Sequence, residues 1–411
     1  MPCRFALALF LIAVTTPLAA RGDDLFSLIA TSSSTTARGA GSNVIDLVKN
    51  LTNNADQFAA LGGQSFTSTL NYAGIANAVK VNQSFDPQGH RIINLQVPSV
   101  GLNKTFNEAN GNLTDQVRDF LKTGGLAALG EFQAVVNRES LAGIVDGNPL
   151  AATAMLTDAG YEQFALHRST QNLLGEPYTV ATSGHGETRL SADGGVFDAG
   201  GFTGTFVDFT LASEVNFNDR IGLAASAPVR WLDFHGANVF MGGLILGLPI
   251  TILPGHGDRS LQWQITPAGH AAAVGSADFA SGGILYGGQI DNSLSYNFGD
   301  GFSITLGTTA GYFHGADISV AGYDFDTKLN QWVFKNGVLL SKAWDNFFID
   351  GGASWTNFLR DAYTDGYLTP ELGLGWRFGR GNNSGLRIGY TGHFGNHYNT
   401  NGGSVLLFFT G

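Results

Sequence analysis

The nine histidines of the chain are the side chains best suited to acid–base or metal chemistry. Seven of them have a glycine within one residue, which is typical of turns and loops. His393 and His397 are four residues apart, a spacing that places two metal ligands together on a helix. On an extended segment this spacing has no such meaning, so we expect no metal site and no cofactor.

The segment around these two histidines also bears on catalysis. Residues 393–399 (HFGNHYN) resemble the catalytic strand of outer-membrane lipid A deacylases, which place a serine two residues after the histidine. Gly395 and Asn399 occupy those positions here, and neither carries a nucleophilic oxygen. The sequence also contains no Gly-x-Ser-x-Gly elbow, no His-Glu-x-x-His and no P-loop. A membrane-embedded hydrolase is therefore only an alternative, and we expect that the protein is not an enzyme.

Charge and cysteine content exclude several other classes. Charged residues make up 13% of the chain and the formal net charge is −11, whereas an ordinary globular protein has about 25% charged residues. An acidic exported chain is a poor candidate for nucleic-acid binding. The single cysteine, Cys3, lies in the leader described next, so the mature chain has no disulfide or thiolate site.

Residues 1–20 have the pattern of a signal peptide. Arg4 precedes a ten-residue apolar core at residues 5–14, and small residues up to Ala20 form a cleavage site. After this leader the longest apolar run is residues 239–253, which is interrupted by Pro249 and is short for a membrane helix.

Residues 21–176 predict a mainly helical region. Apolar residues from Val44 to Phe58 follow a helical period, and further helices are predicted from Asn112, from Leu126 to Val145, and from Asn148, with Pro149 at the first helical position. Alternating residues at 79–82 and 93–97 flank the turn residues 86–89, which predicts a β-hairpin near 79–97.

Residues 177–411 change to a period of two. Apolar side chains alternate with Ser, Thr, Asn, Gln and isolated charged residues in segments of about ten residues separated by turns. Such strands expose a whole apolar face, which requires lipid or a second sheet to cover it. Because the polar faces have few Lys and Glu residues, they are more typical of the crowded interior of a barrel than of a surface exposed to water. We therefore predict an α+β chain with a C-terminal antiparallel transmembrane β-barrel of about 12 strands.

The leader, the alternating strands and the aromatic-rich last segment at residues 405–409 resemble Gram-negative outer-membrane β-barrels as a class. This resemblance implies location in the cell outer membrane, contact with outer-membrane lipid and insertion by the outer-membrane assembly machinery. The expected function is a porin-like channel with a helical periplasmic or plug region. The alternative is an autotransporter-like translocator with a short helical passenger.

Alternation also assigns the charged side chains of the strands to a face. Because the apolar set faces lipid, the opposite residues point into the lumen. The predicted lumen-facing residues are Asp208, Glu214, Arg230, Asp291, Asp350, Glu371, Arg377 and Arg387. They either pack the interior as Arg–carboxylate pairs or line a polar constriction.

Overall fold

The computed structural model describes residues 24–166, 186–255, 259–279, 281–320, 323–326, 328–360, 362–378 and 384–410. The predicted leader and the predicted boundary at residues 176–177 lie outside this part of the chain. None of the helices in these ranges is both long and apolar enough to cross a membrane.

Residues 24–145 form a compact unit that we call the N-terminal module. Its six strands form one antiparallel sheet in the order β2-β1-β3-β4-β5-β6. They are β1 (Phe26–Ser32), β2 (Thr36–Gly41), β3 (Phe66–Tyr72), β4 (Ile75–Phe85), β5 (Arg91–Val97) and β6 (Leu102–Asn107). Its four α-helices are α1 (Val44–Asn53), α2 (Ala55–Ala59), α3 (Leu113–Phe120) and α4 (Leu126–Glu139). Short 3-10 turns lie at Pro98–Val100 and Glu108–Asn110, and a π turn at Leu121–Gly125 joins α3 to α4.

The module corrects the prediction that this region is mainly helical. The predicted helices and the β4–β5 hairpin are present, but β1, β2, β3 and β6 had been missed. These strands are short, and their uncovered face carries Thr and Asn residues such as Thr31, Thr67 and Asn82, which face one another across the strands. This polar face, together with Gly39 and Gly41 in β2, leaves little apolar alternation, so these segments resemble loops in sequence.

The helix predicted to run from Leu126 to Val145 ends at Glu139. Ser140 adopts an extended backbone and its hydroxyl donates a hydrogen bond to the Ala73 carbonyl oxygen, 3.0 Å away. The same hydroxyl oxygen accepts a hydrogen bond from the Ala142 backbone N–H. This local alternative satisfies backbone groups outside the helix, which is how serine ends a helical run.

A fifth helix, α5 (Pro149–Tyr161), begins where the sequence places it, and a π turn at Glu162–Leu166 extends it. The side chain of Asn148 caps its first turn by accepting a hydrogen bond from the Leu150 backbone N–H at 2.8 Å.

The remaining strands form a closed antiparallel barrel. Its strands are β7 (Gly186–Ala199), β8 (Phe202–Asn216), β9 (Gly222–Phe234), β10 (Ala237–Gly247), β11 (Ile250–Leu253), β12 (Ser260–Ser276), β13 (Ser281–Gly299), β14 (Phe302–Gly315), β17 (Asn330–Trp344), β18 (Phe347–Phe358), β19 (Gly366–Phe378), β20 (Ser384–Gly395) and β21 (Tyr398–Thr410). A small hairpin of β15 (Asp317–Val320) and β16 (Tyr323–Asp326) lies between β14 and β17.

Closure of the barrel comes from the pairing of β21 with β7. Both β10 and β11 pair with β12, so they are two halves of one crossing, interrupted at Leu248 and Pro249. Proline has no backbone N–H to donate to a neighbouring strand, which explains the break. The barrel therefore has twelve crossings, and the predicted number is confirmed.

The N-terminal module lies at one end of the barrel. We call this end the module mouth; it is formed by the turns at residues 200–201, 235–236 and 277–279, among others. The Tyr72 hydroxyl donates a hydrogen bond to the Phe279 carbonyl oxygen at 3.0 Å, and the Phe26 ring lies 5.7 Å from the Phe279 ring. The other end, which we call the opposite mouth, contains the start of β7 and the end of β21.

The β7–β21 seam gives a test of closure. Ala192 and Val405 face each other directly across it and both point outward. Opposite residues of antiparallel strands have Cα atoms about 4.5–5.5 Å apart, within the range that a disulfide bridges. We expect an Ala192→Cys/Val405→Cys variant to form an intramolecular disulfide on mild oxidation, seen as faster migration of the boiled, non-reduced protein on an SDS gel.

The matched control pairs Ala192→Cys with Leu372→Cys, which also faces outward but on β19, away from the seam. This pair should not cross-link. An open sheet would give no disulfide in the seam variant, or only disulfides between molecules.

Candidate functional site

The barrel lumen is filled by α5, and this plugged lumen is the candidate functional site. Eleven of the thirteen helix residues are buried. Near the start of the helix the Ser281 hydroxyl donates a hydrogen bond to the Asp146 carbonyl oxygen, at the module mouth. Farther along, Phe164 and Ala165 lie against Gly247 and Gly307, toward the opposite mouth. The helix therefore runs from the module through the lumen.

Glycines of the barrel wall make room for the helix side chains. A Cβ at Gly337 would lie 2.5 Å from the Tyr161 hydroxyl, and one at Gly243 would lie 2.6 Å from a methyl carbon of Leu156. At Gly307 the Tyr161 hydroxyl and the Ala165 carbonyl oxygen would both lie within about 3.0 Å. The wall and the helix thus match in shape at these points.

A polar cluster holds the middle of the helix. The Lys335 ammonium lies 2.6 Å from an Asp158 carboxylate oxygen, and only 2% of the Lys335 side chain is exposed. The Tyr367 hydroxyl donates to the same carboxylate at 3.2 Å, and His393 Nε2 lies 3.5 Å from it. The Lys335 ammonium also lies 4.9 Å from the centre of the Tyr161 ring, within cation–π range. One carboxylate on the helix is thereby bound by three strands, β17, β19 and β20.

The predicted lumen-facing residues lie in phase with the buried, inward side of their strands, opposite the exposed apolar residues. Arg230 forms a bidentate pair with Asp208, with N···O distances of 2.7 and 2.6 Å. Such paired geometry is typical of an ion pair that packs an interior.

Arg387 forms a second bidentate pair, with Asp350, at 2.8 and 2.5 Å, and lies 3.6 Å from Glu371. Asp350 is on β18 and Arg387 on β20, so the guanidinium crosses β19. It does so over Gly373, where a Cβ would lie 2.3 Å from Arg387 Nε. These residues therefore form a network spanning three strands.

Three of the predicted residues remain: Asp291, Glu214 and Arg377. Asp291 accepts hydrogen bonds from the Thr309 hydroxyl and, at 2.8 Å, from Gln289 Nε2. Glu214 lies near the opposite mouth, and the Arg377 backbone N–H donates to Asn346 in the turn after β17. Sequence reasoning had not singled out Asp158 and Lys335, although Lys335, the lysine inside the alternating segment at 332–342 rather than at its end, was a usable signal.

The two closely spaced histidines do not share a site. The His393 ring faces the lumen, where Nδ1 lies 2.6 Å from the Thr400 hydroxyl. His397 lies in a turn at the module mouth and packs against Tyr363 with tilted rings 4.3 Å apart. In the described ranges, no group of three or more His, Cys, Asp and Glu residues is arranged to hold a metal.

Two polar cavities of about 60 and 50 Å³ lie between α5 and the wall formed by β7, β8, β20 and neighbouring strands. Asp193, Glu162 and Thr210 border both of them. Because one water molecule occupies about 30 Å³ in the liquid, each cavity holds a few water molecules.

Asp146, just before the helix, is a buried carboxyl group outside the strands. Its Oδ1 accepts hydrogen bonds from the Asn148 backbone N–H at 3.0 Å and from Asn148 Nδ2 at 2.5 Å. Its Oδ2 has no hydrogen-bond partner within the part of the chain that the structure describes. Burial raises the pKa of Asp146 to about 8.

Comparison with known proteins finds similarity of fold only. The translocator domain of the autotransporter NalP from Neisseria meningitidis aligns at 18% identity and a TM-score of 0.42, covering 63% of this chain and 97% of that one. The transport unit of the autotransporter AIDA-I from Escherichia coli aligns at 13% identity and a TM-score of 0.41, covering 64% and 98%. An outer membrane channel from Pseudomonas putida aligns at 10% identity and a TM-score of 0.40, covering 57% and 98%. No family model and no curated protein matches the sequence.

The contact between Lys335 and Asp158 predicts the effect of removing one charge. Lys335→Met leaves the buried Asp158 without its closest cation, so we expect the barrel to lose about 3–5 kcal/mol of stability. Adding Asp158→Asn should recover most of this loss. The measurement is the denaturant concentration at which half of the folded form, recognised on SDS gels by its changed migration after heating, is lost.

Lys342→Met is the matched control, because Lys342 lies on the same strand but at its exposed end, where it bonds to the Asp300 carbonyl oxygen. It should change stability by less than about 1 kcal/mol. Equal effects of the two lysine substitutions would contradict a role of the cluster in holding the helix.

The raised pKa of Asp146 predicts a pH dependence. The folded protein holds this acid protonated up to about pH 8, whereas the unfolded chain ionises near its ordinary pKa of 3.8. The stability that the neutral acid contributes is therefore complete at low pH and is lost as pH rises through about 8. We expect the thermal midpoint of the wild type to fall between pH 5 and pH 9, and Asp146→Asn to reduce that fall.

Asp115→Asn removes an exposed carboxylate of the same module and serves as the control. It should leave the pH profile of the wild type unchanged. A profile for Asp146→Asn that is identical to wild type would show that Asp146 ionises normally in the folded protein.

Proposed function

We propose that this chain is an outer-membrane anchor of the autotransporter type, whose barrel carries and displays its own N-terminal module. One observation carries the proposal: α5 leaves the module, passes through the lumen and ends toward the mouth where the first barrel strand starts. This path is what a chain would keep after its N-terminal part had crossed its own barrel. The helix then remains as the plug.

The outer surface of the barrel supports a membrane location. Outward residues such as Phe209, Leu374 and Ile388 are more than half exposed and would otherwise face water. Continuous apolar surface of this kind marks contact with a membrane or a partner. Aromatic residues, among them Trp332, Trp344 and Phe347, accompany the strand ends, as in the girdles of outer-membrane barrels. Outer-membrane lipid and the outer-membrane assembly machinery are therefore the proposed partners.

The connections between strands support an orientation with the module outside the cell. An even number of strands places both ends of the barrel chain at the same mouth, here the opposite mouth. Outer-membrane barrels have short periplasmic turns and longer external loops. Two-residue turns occur at both mouths, for example at 235–236 and 345–346, but the longest connection, from β14 to β17, lies at the module mouth and contains its own hairpin.

A channel with a periplasmic plug is the second candidate function. The polar cavities along β7 and β8, bordered by Asp193 and Thr210, favour it, because they would widen into a hydrophilic path if α5 moved. It requires breaking the Asp158 contacts and extracting a closely packed helix, so we rank it second.

Surface labelling of intact cells separates the two candidates. Gln88→Cys lies in the exposed turn between β4 and β5 of the module, and Asp219→Cys in the exposed turn after β8 at the opposite mouth. The predicted loss of Cys3 with the leader leaves each variant with one thiol. We expect a membrane-impermeant maleimide to label Gln88→Cys on intact cells, and Asp219→Cys only after the outer membrane is permeabilised.

Permeabilised cells provide the control, since both variants should then react to the same extent. The reverse pattern on intact cells would place the module in the periplasm, which contradicts display and favours the plugged channel.

A further inference from the structure

Helix α1 of the N-terminal module has an apolar stripe that the module does not cover. Leu47 and Leu51 lie against Gly39 of β2, so one face of the helix packs on the sheet. On the other face, Ile45 is 42% exposed and Val48 is 55% exposed. Val44, Ile45, Val48, Lys49, Thr52 and Asn53 line a shallow apolar concavity there.

This helix is attached to the rim of the barrel. The Val44 backbone N–H donates a hydrogen bond to the Asp278 carbonyl oxygen at 2.7 Å, in the turn between β12 and β13. The Asp278 carboxylate accepts a hydrogen bond from the Asn238 backbone N–H at 2.7 Å, at the start of β10. The first turn of α1 is thus held against the rim, at the point where β10 begins and β12 ends.

The outer face of the barrel directly below this point is apolar and aromatic. Phe240 is two residues along β10 from Asn238, about 7 Å away, and is 61% exposed. The neighbouring Trp231 donates its ring N–H to the Asn238 side chain at 3.1 Å. A tryptophan with its polar edge satisfied beside an exposed phenylalanine is typical of the level where hydrocarbon meets head groups.

We propose that α1 is an interfacial helix whose stripe of Ile45 and Val48 rests in the lipid surface surrounding the module mouth. This inference rests on the proposed membrane location of the barrel. The stripe begins next to Val44, which is bonded to the rim above the exposed Phe240 of β10. A ten-residue helix is long enough to lie in the interface but not to span the membrane. Lys49 flanks the stripe, and its ammonium pairs with the exposed Asp46 carboxylate at 3.2 Å. In the proposed position this pair lies at the level of the head groups while the methylene chain of Lys49 stays in the apolar layer.

The consequence for the proposed function is that the module is held at the lipid surface as well as through α5. A displayed unit with two attachments has a defined side facing away from the cell. In this arrangement the polar face of its sheet, which carries Thr67 and Asn82, remains free of lipid.

The test uses single-cysteine variants that carry an environment-sensitive fluorophore, reconstituted in phosphatidylcholine vesicles with or without lipids bearing a spin label near the head group. We expect the spin-labelled lipid to reduce the emission of labelled Val48→Cys at least twofold, while aqueous iodide quenches it several-fold less than labelled Asn103→Cys, an exposed position on β6. Labelled Leu372→Cys, on the outward face of β19, reports barrel insertion independently.

The outcomes are distinct. Lipid quenching at Leu372→Cys but not at Val48→Cys overturns the interfacial helix and leaves the membrane barrel intact. Absence of lipid quenching at both positions overturns the membrane location and the inference with it. Self-quenching between labelled Val48→Cys molecules, without lipid quenching, identifies a second copy of the chain as the occupant of the stripe and overturns the lipid assignment.

Discussion

A twelve-stranded barrel encloses more space than its own inward side chains can fill, and the rest of this structure depends on how that space is filled. The helix α5 supplies the missing core: it is buried along almost its whole length, and wall glycines such as Gly243 and Gly337 accept its larger side chains. Because tight packing contributes more than area alone, the barrel and the helix stabilise each other. An empty barrel of this sequence would lack both contacts and charge partners.

The filled lumen also contains the partners of the charged side chains. The charges of the strands include pairs that lie inside the barrel, such as Asp208–Arg230 and the Asp350–Arg387–Glu371 network. In the proposed membrane location this placement is required, because hydrocarbon on the outside excludes ionised groups. The helix takes part through Asp158, which is bound by Lys335 and Tyr367. The described part of the lumen is therefore packed as a polar protein core, which agrees with the proposed anchor.

The inward side chains differ between the two ends of the lumen, and those at the module mouth attach the module. Toward the module mouth, the rings of Phe197, Phe234, Phe279 and Phe26 follow one another at centre distances of 5.6 to 5.8 Å, from the barrel wall into the module. Toward the opposite mouth the inward side chains of β12 and β13 are polar, among them Gln262, Gln264 and Ser295, and only a smaller apolar cluster around Phe348 and Phe408 is present. The N-terminal module and the barrel thus share one apolar core at the module mouth, and α5 is its continuation into the lumen.

The sequence by itself determined those features that the residues of a single segment are enough to specify. Alternation along each strand predicted the barrel, its twelve strands and the faces that carry its charges, because neighbouring side chains of a strand meet two different media. Asn148 and Pro149 predicted the start of α5, because a cap needs only adjacent residues. Tertiary structure alone decided that Arg387 reaches Asp350 across Gly373, that Lys335 binds Asp158 from 177 positions away, and that the first strands of the module form a sheet. These depend on strand register and barrel closure, which bring together residues whose separation in the chain carries no periodic signal.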